Sequence, residues 1–538
     1  MSKEASFSGE DAICASVIKD KPVSPMGVGE TDGINPRTVS PTSFESLGEP
    51  SNSSVEKHGD DRPPNMSLLH ELAFVGVIIS SQIVTQVGVG QGLAPMKIVG
   101  EHFGQYDAGK LSWYVAAYSL TVGTFIIACG RAGDMYSHKK LFLFGYAWLS
   151  LWALLSGISS YSNSVFFDIC RGLQGIGPAF LLPNGLAILG RAYHTPGRRK
   201  HLAFASFGAV APFGCCVGAI FAALFAQLVK IWALAYYVMA GVGLLMTIAS
   251  YFVIPDEDKE EFAREAAGQK FDYYGAIAGI GGLILINVAW NQGPVVGWQV
   301  PYVYILLIIG FLFMAAFIVI ELTVAQPLIP LKEMSPATIR ILSTIALGWA
   351  TFGIWLVYLW SFCLDVRHES PIEVGVQFLP TIVAGFCAAG LTAFLFGRHV
   401  EPTVMMVIAL IGFCIPSILL ATMPVHQTYW SALFVSFLIA PFGMDISFPT
   451  ATIMLSNAVP RNRQGIAGSL VATVVNYAIS IGLGIAGTVV RQLSPGQDPQ
   501  SLLHGIRIAA YVGVGLSGAG IVLALIEVFL HRKVPKGL

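Results

Sequence analysis

Charge is what this chain has least of. Of its 538 residues only 12% are Asp, Glu, Lys or Arg, against 54% hydrophobic, and the mean hydropathy is +0.66. That balance excludes an ordinary soluble domain. A net charge of −1 gives no argument for a nucleic-acid partner. The eight cysteines are scattered, and Cys129, Cys170, Cys215, Cys216, Cys363, Cys387 and Cys414 lie in or beside apolar runs, where no extracellular disulfide framework forms. The chain has no C-x-x-C pair, H-E-x-x-H or Walker sequence. It therefore offers neither a metal site nor an ATP-driven pump, and it calls for no cofactor. With no clustered nucleophile and base, it does not read as an enzyme. Residues 1–66 have few aromatics and much Ser, Pro, Gly and acid, with no basic start leading into an apolar core. They read as a disordered cytoplasmic tail rather than a signal peptide.

What the chain does have is apolar windows long enough to cross a bilayer core of about 30 Å, which takes about 20 helical residues. Fourteen such windows run from Leu72 to Leu530. They predict an all-α polytopic membrane protein with 14 transmembrane helices. A six-helix bundle covers 72–254, a charged loop 255–273, two additional helices 274–323 and a second six-helix bundle 338–530, with 531–538 a short tail. Lys and Arg set the orientation. The loops on the face of Arg131, Lys139 and Lys140 hold eighteen basic residues against six opposite. That face is expected to be cytoplasmic, and an even span count puts both termini there.

Eleven residues at the second interhelical connection organise this reading: Gly130-Arg131-Ala132-Gly133-Asp134-Met135-Tyr136-Ser137-His138-Lys139-Lys140. They are expected to form a tight turn between spans at 111–129 and 141–159. The stretch resembles the signature loop of the major facilitator superfamily, roughly Gly-x-Leu-Ala-Asp-Arg-x-Gly-Arg-Lys. Asp134 matches the family carboxylate, while Met135, Ser137 and His138 replace Arg, Gly and Arg. The resemblance implies two six-span halves related by an internal repeat, with the two extra helices at 274–291 and 301–323. It also implies a conformational switch at Gly130, Gly133, Asp134, Lys139 and Lys140.

Polar residues inside apolar spans carry the functional expectations. Arg171, in Arg171-Gly-Leu-Gln174-Gly-Ile-Gly, sits at membrane depth, where arginine is costly and normally faces a cavity or the bundle interior. This stretch is similar to the facilitator motif associated with proton transfer. In the first span, Gln86 stands where the fourteen-span drug antiporters carry a titratable Asp, and Gln91 where they carry Asn. By depth, Gln86 is expected to meet Arg171. Gly214 and Gly218, with Pro212, keep the close-packing logic of the antiporter motif without its full pattern. Asp445, between Pro441 and Pro449, is the best protonatable candidate, with Asn476 nearby in the cavity.

Asp445, Asn476-Tyr477, Ser370-Pro371 and Asp272-Tyr-Tyr-Gly275 make the chain similar to a fungal subgroup of fourteen-span drug:proton antiporters. That subgroup is the aminotriazole-resistance type, with boron-efflux and low-affinity ammonium transporters. The resemblance implies a monomeric multi-pass protein of the plasma membrane that exports a small toxic solute or secondary metabolite, coupled to protons. Two alternatives stand beside it: an uncoupled or uptake carrier for a solute such as ammonium or borate, and a transporter-like nutrient sensor.

Overall fold

In the computed structural model, residues 66–193, 198–257, 260, 264, 267–458, 464–494, 496 and 498–533 are described. The tail expected at 1–66 lies almost wholly outside them. Among the described residues, fourteen helices are long and apolar enough to span a membrane: α1 Leu68–Leu93, α2 Gly109–Tyr136, α3 His138–Tyr161, α4 Ser164–Ala192, α5 Leu202–Val229, α6 Leu234–Val253 and α7 Tyr273–Val296, then α8 Pro301–Thr323, α9 Pro336–Val366, α10 Pro371–Gly397, α11 Pro402–Thr422, α12 Ala432–Ser456, α13 Gly468–Leu493 and α14 Pro499–Leu530. No strand occurs among the described residues.

Local chemistry starts these helices. Pro301, Pro336, Pro371, Pro402 and Pro499 each open one, where a missing N–H costs nothing. Ser67, Asn163 and Ser335 accept hydrogen bonds from the backbone N–H of His70, Phe166 and Thr338. Ser370 and Glu373 form a reciprocal capping box at the start of α10.

The expected turn at 130–140 is tighter than the apolar pattern suggests. Helix α2 continues through Gly130, Gly133 and Asp134 to Tyr136, and α3 begins at His138, so Ser137 alone leaves the helical conformation. Charged residues beyond the hydrocarbon core need not leave a helix, because packing rather than apolarity sets its end. Ser137 has φ 123° and ψ 122°, a region suited to glycine. It stands where the family pattern has glycine, and its Oγ accepts the Lys140 N–H as an N-cap.

Within the first six helices, α4 packs on α2 and α3, α1 on α5, and α3 on α6. In the last six, α11 packs on α12 and α14, and α9 on α13 and α14. The halves meet most extensively where α2 packs on α13 and α5 on α10. Each pairs the second helix of one half with the fifth of the other, as an internal repeat requires. Helix α7 lies against α13 and α2, while α8 packs chiefly on α7 and leaves most of its apolar surface outward.

On the face opposite Ser137 the seam between halves is filled. Leu93, Ala94, Val115, Cys216 and Ala219 of the first half share one buried cluster with Trp355, Leu359, Phe378, Phe437 and Leu483 of the second. Lys97 crosses the same seam to pair with Asp365 and donates to the Leu364 carbonyl at 3.0 Å. Burial pulls the Lys97 ammonium below its ordinary pKa, and Glu101 pushes it back.

Candidate functional site

Three polar constellations stand out against this apolar frame. The first surrounds Ser137. His138, buried at 2% exposure, engages the Asn184 side-chain oxygen through Nδ1 at 2.8 Å. Its Nε2 lies 3.6 Å from Asp134 Oδ1. Arg131 approaches the other Asp134 oxygen at 3.9 Å, and Asn184 donates to the Phe180 carbonyl at 2.7 Å. Gly133 is required here because a side chain would strike Asn184 Oδ1 and His138 Nδ1. Lys139 donates to Asp256 at 2.7 Å and lies over the Tyr251 ring, whereas Lys140 is exposed. Gly130 rests against Pro183 of α4, with Ser469 of α13 3.4 Å from where its side chain would begin. The signature residues thus link α2, α3, α4 and the segment after α6, and they reach the second half at α13. His138 occupies an arginine position of the family pattern, so the link from Asp134 runs through an imidazole to an amide.

The second constellation is built on Arg171, which is wholly buried. Its Nε donates to the Tyr114 carbonyl at 2.9 Å, one terminal nitrogen to Gln174 Oε1 at 2.6 Å, and the other to the Gly88 carbonyl at 2.5 Å. The guanidinium carbon also lies 4.6 Å from the Tyr118 ring centroid and 5.6 Å from that of Tyr236. Gly92 makes room for it, since a side chain there would begin 3.0 Å from Arg171 Nη2.

The expected partner, Gln86, is not among these contacts. Depth along α1 puts Arg171 near the right level, but helix rotation turns Gln86 onto α5, where its Cβ lies 2.9 Å from a side chain built on Gly214. The arginine meets the α1 backbone two residues further on. Asp168, one turn earlier, makes no ion pair with it, and its buried Oδ1 has no hydrogen-bond partner. Gln91 is buried and donates to the Ala235 carbonyl at 2.7 Å, tying α1 to α6. Gly214 and Gly218 meet the α1 backbone at Ile83 and Val87, so they mark close helix approach. An arginine with three acceptors and two rings around it holds helices together. Each guanidinium nitrogen already donates one hydrogen bond.

The third constellation centres on Asp445 in α12. Its Oδ2 is buried and makes no hydrogen bond. It lies 3.2 Å from where a side chain on Gly385 of α10 would begin, and Pro212 Cγ of α5 lies 2.7 Å from that same point. One carboxylate oxygen therefore faces a junction of α12 and α10 from the second half with α5 from the first. Two hydrogen bonds tie α12 to its neighbours here: Thr392 Oγ1 of α10 donates to the Asp445 carbonyl at 3.1 Å and Trp349 Nε1 of α9 to Ser447 Oγ at 3.1 Å. Asn476 lies at the other seam. Its Cβ is 2.7 Å from a side chain built on Gly123 of α2, and its amide donates to the Ala472 carbonyl at 2.9 Å. The structure thus keeps Arg171, Asp445 and Asn476 in separate surroundings.

Sequence reasoning passed over Gly88, Gly92, Tyr114, Tyr118 and Gly385. Gly88 and Gly92, four residues apart, carry the small-residue spacing that signals close helix approach, whereas Gly385 carries no local signal.

Comparison with known proteins agrees with this architecture. The family model described as Major Facilitator Superfamily matches residues 76–483. The chain is 51% identical to the Saccharomyces cerevisiae protein named "Low affinity ammonium transporter", over 86% of this chain and 89% of that one. It is 43% identical to "Efflux pump terJ" of Aspergillus terreus, over 85% and 88%. It is 36% identical to the "Aminotriazole resistance protein" of S. cerevisiae, over 86% and 85%. Among solved structures, a POT family transporter bound to a thioalcohol-conjugated peptide superposes with a TM-score of 0.60 at 14% identity, over 86% of this chain and 96% of that one. At that identity the likeness concerns the fold alone.

Proposed function

The chain belongs to the major facilitator superfamily, and we propose that it exports a small toxic solute or secondary metabolite across the plasma membrane in exchange for protons, with both termini cytoplasmic. The observation that carries this reading is the unpartnered Asp445 oxygen at the junction of the two halves. A carboxylate in an apolar site is costly when ionised and unpaired, so taking up a proton there favours closure of the junction. Losing the proton favours an arrangement that admits water or a cationic group. Alternating access follows if the α5–α10 contact opens and closes with that proton. The packed seam and the Lys97–Asp365 pair then describe a state closed to the outside, and the Asp134–His138–Asn184 link is the inner element that breaks and reforms. Asp134 serves the switching rate rather than solute binding. Efflux-pump relatives that align over 85–90% of this chain support the direction of transport.

A second reading, a carrier for ammonium, is favoured by the relative of that name at 51% identity. It is also favoured by the absence of any acid in α1 beyond Glu71, which pairs with Arg199 and accepts from Tyr193. Both readings are tested by solute flux in proteoliposomes holding the purified protein, with and without an imposed pH gradient. Gradient-driven accumulation supports coupled export. Flux that follows the ammonium gradient and ignores pH supports the second reading.

A further inference from the structure

The added helix pair holds an arrangement that none of the transport chemistry uses. Asp272 caps the start of α7 and Glu321 lies at the end of α8, both on the face that carries Ser137. They are 7% and 1% exposed. Each carboxylate uses one oxygen on a backbone donor: Asp272 Oδ1 accepts Gly275 N–H at 2.8 Å, and Glu321 Oε2 accepts Ile329 N–H at 3.0 Å. The other two oxygens, Asp272 Oδ2 and Glu321 Oε1, are buried and have no hydrogen-bond partner. Both converge on Gly275, with Glu321 Oε1 3.1 Å from where a side chain there would begin. That glycine leaves the space between the two acids open.

Among the described residues, no cation neutralises the pair. Lys270, in the segment before α7, is exposed and spends its backbone N–H on Gln326 Oε1 at 2.6 Å. Lys332, beyond α8, is exposed, and Glu333 beside it adds only negative charge. Tyr273 points to Tyr136 at 2.8 Å, and Tyr274 is exposed. None of these is an ion-pair partner of Asp272 or Glu321. Two buried carboxylates whose unpartnered oxygens face one point beside Gly275, with no cation between them, repel each other when both are charged.

We propose that Asp272 and Glu321 form a proton-binding site in which one shared proton bridges their unpartnered oxygens and fastens the segment after α8 to the start of α7. The proton supplies the donor that both oxygens lack. Gln326 reinforces the clasp from outside by donating to the Gly268 carbonyl at 2.9 Å. Tyr273, next to Asp272, reaches Tyr136 at the end of α2, so the clasp adjoins the signature segment and responds to pH on that face of the membrane. This site is independent of solute, direction and Asp445.

The test is thermal unfolding of the full chain in detergent between pH 5 and 8, comparing wild type with Glu321→Gln and Asp272→Asn. If the clasp forms, the folded chain holds one proton that the unfolded chain releases in this range. Stability is therefore greatest at low pH and falls as pH rises, by up to tenfold in the folded-to-unfolded ratio per pH unit while the proton is held only in the folded state. Glu321→Gln carries its own N–H donor and should remove this slope relative to wild type. Asp272→Asn, which can still cap α7, should do the same if the glutamine variant does not fold. In wild type, an infrared band of a protonated carboxyl that disappears in either variant identifies the bridge. A wild-type profile parallel to both variants, or a midpoint raised by sodium or calcium at constant pH, overturns the proposal.

Discussion

Arg171 and Asp445 occupy the fourth helix of their respective halves, in helices interrupted by prolines at 178 and 183 and at 441 and 449. Their surroundings are opposite. The arginine is enclosed by the Tyr114 and Gly88 carbonyls, Gln174 and two tyrosine rings. The aspartate leaves one buried oxygen unpartnered where the halves meet. Repeat-related helices thus carry buried charges in opposite surroundings. A buried charge whose every nitrogen is hydrogen-bonded stabilises one arrangement of helices, whereas a buried charge with an empty acceptor changes its stability when a proton arrives.

The largest expected effect comes from emptying the filled site. Arg171→Met leaves the buried Gln174 oxygen without a donor, at about 1–3 kcal/mol, and removes the links that the guanidinium makes to the Tyr114 and Gly88 carbonyls of two other helices. Thermal stability in detergent should fall sharply. Arg171→Lys should recover only part of it, because an ammonium lacks the planar fork. If Arg171→Met stays as stable as wild type but loses pH-driven transport, the arginine belongs to coupling and the contrast drawn here fails.

A smaller effect separates the two sites through their glycines. Gly92→Ala presses on Arg171 Nη2 and the Tyr114 backbone, so it should cost about 1–3 kcal/mol as overpacking and leave the ratio of pH-driven to exchange transport unchanged. Gly385→Ala presses on Asp445 Oδ2 and Pro212, so it should change that ratio. Equal coupling in both alanine variants would erase the distinction.

The smallest effect lies away from both sites. Ser137→Gly relieves a positive φ, which costs about 1–3 kcal/mol for a non-glycine residue, and loses a cap whose replacement by glycine costs a few tenths. Stability should rise by about 1 kcal/mol, read as a higher melting midpoint, with coupling untouched. A lower midpoint would mean that the Ser137 hydroxyl matters more than its backbone.

The spans were legible because a bilayer imposes length and apolarity on each helix independently of its neighbours. The level of Arg171 relative to the first span was also legible, since helix rise is fixed at 1.5 Å per residue. What the sequence did not disclose is helix rotation. Gln86 and Gly88 lie at nearly the same depth, yet only the carbonyl at 88 faces the guanidinium. Likewise Asp445 was recognisable as an intramembrane acid, but its neighbours Pro212 and Gly385 come from distant helices and carry no local signal. The extent of α2 was misread because charge at 130–134 looks like a loop, while the backbone stays helical until Ser137. That residue's positive φ was foreshadowed by the glycine it replaces.

The most direct test is transport by Asp445→Asn in proteoliposomes, read in two assays on the same preparation: accumulation driven by a pH gradient, and exchange of internal for external solute with no gradient. If Asp445 carries the coupled proton, the asparagine variant loses the first and keeps the second at near the wild-type rate. Loss of both together, or accumulation that still follows the pH gradient, would contradict the assignment.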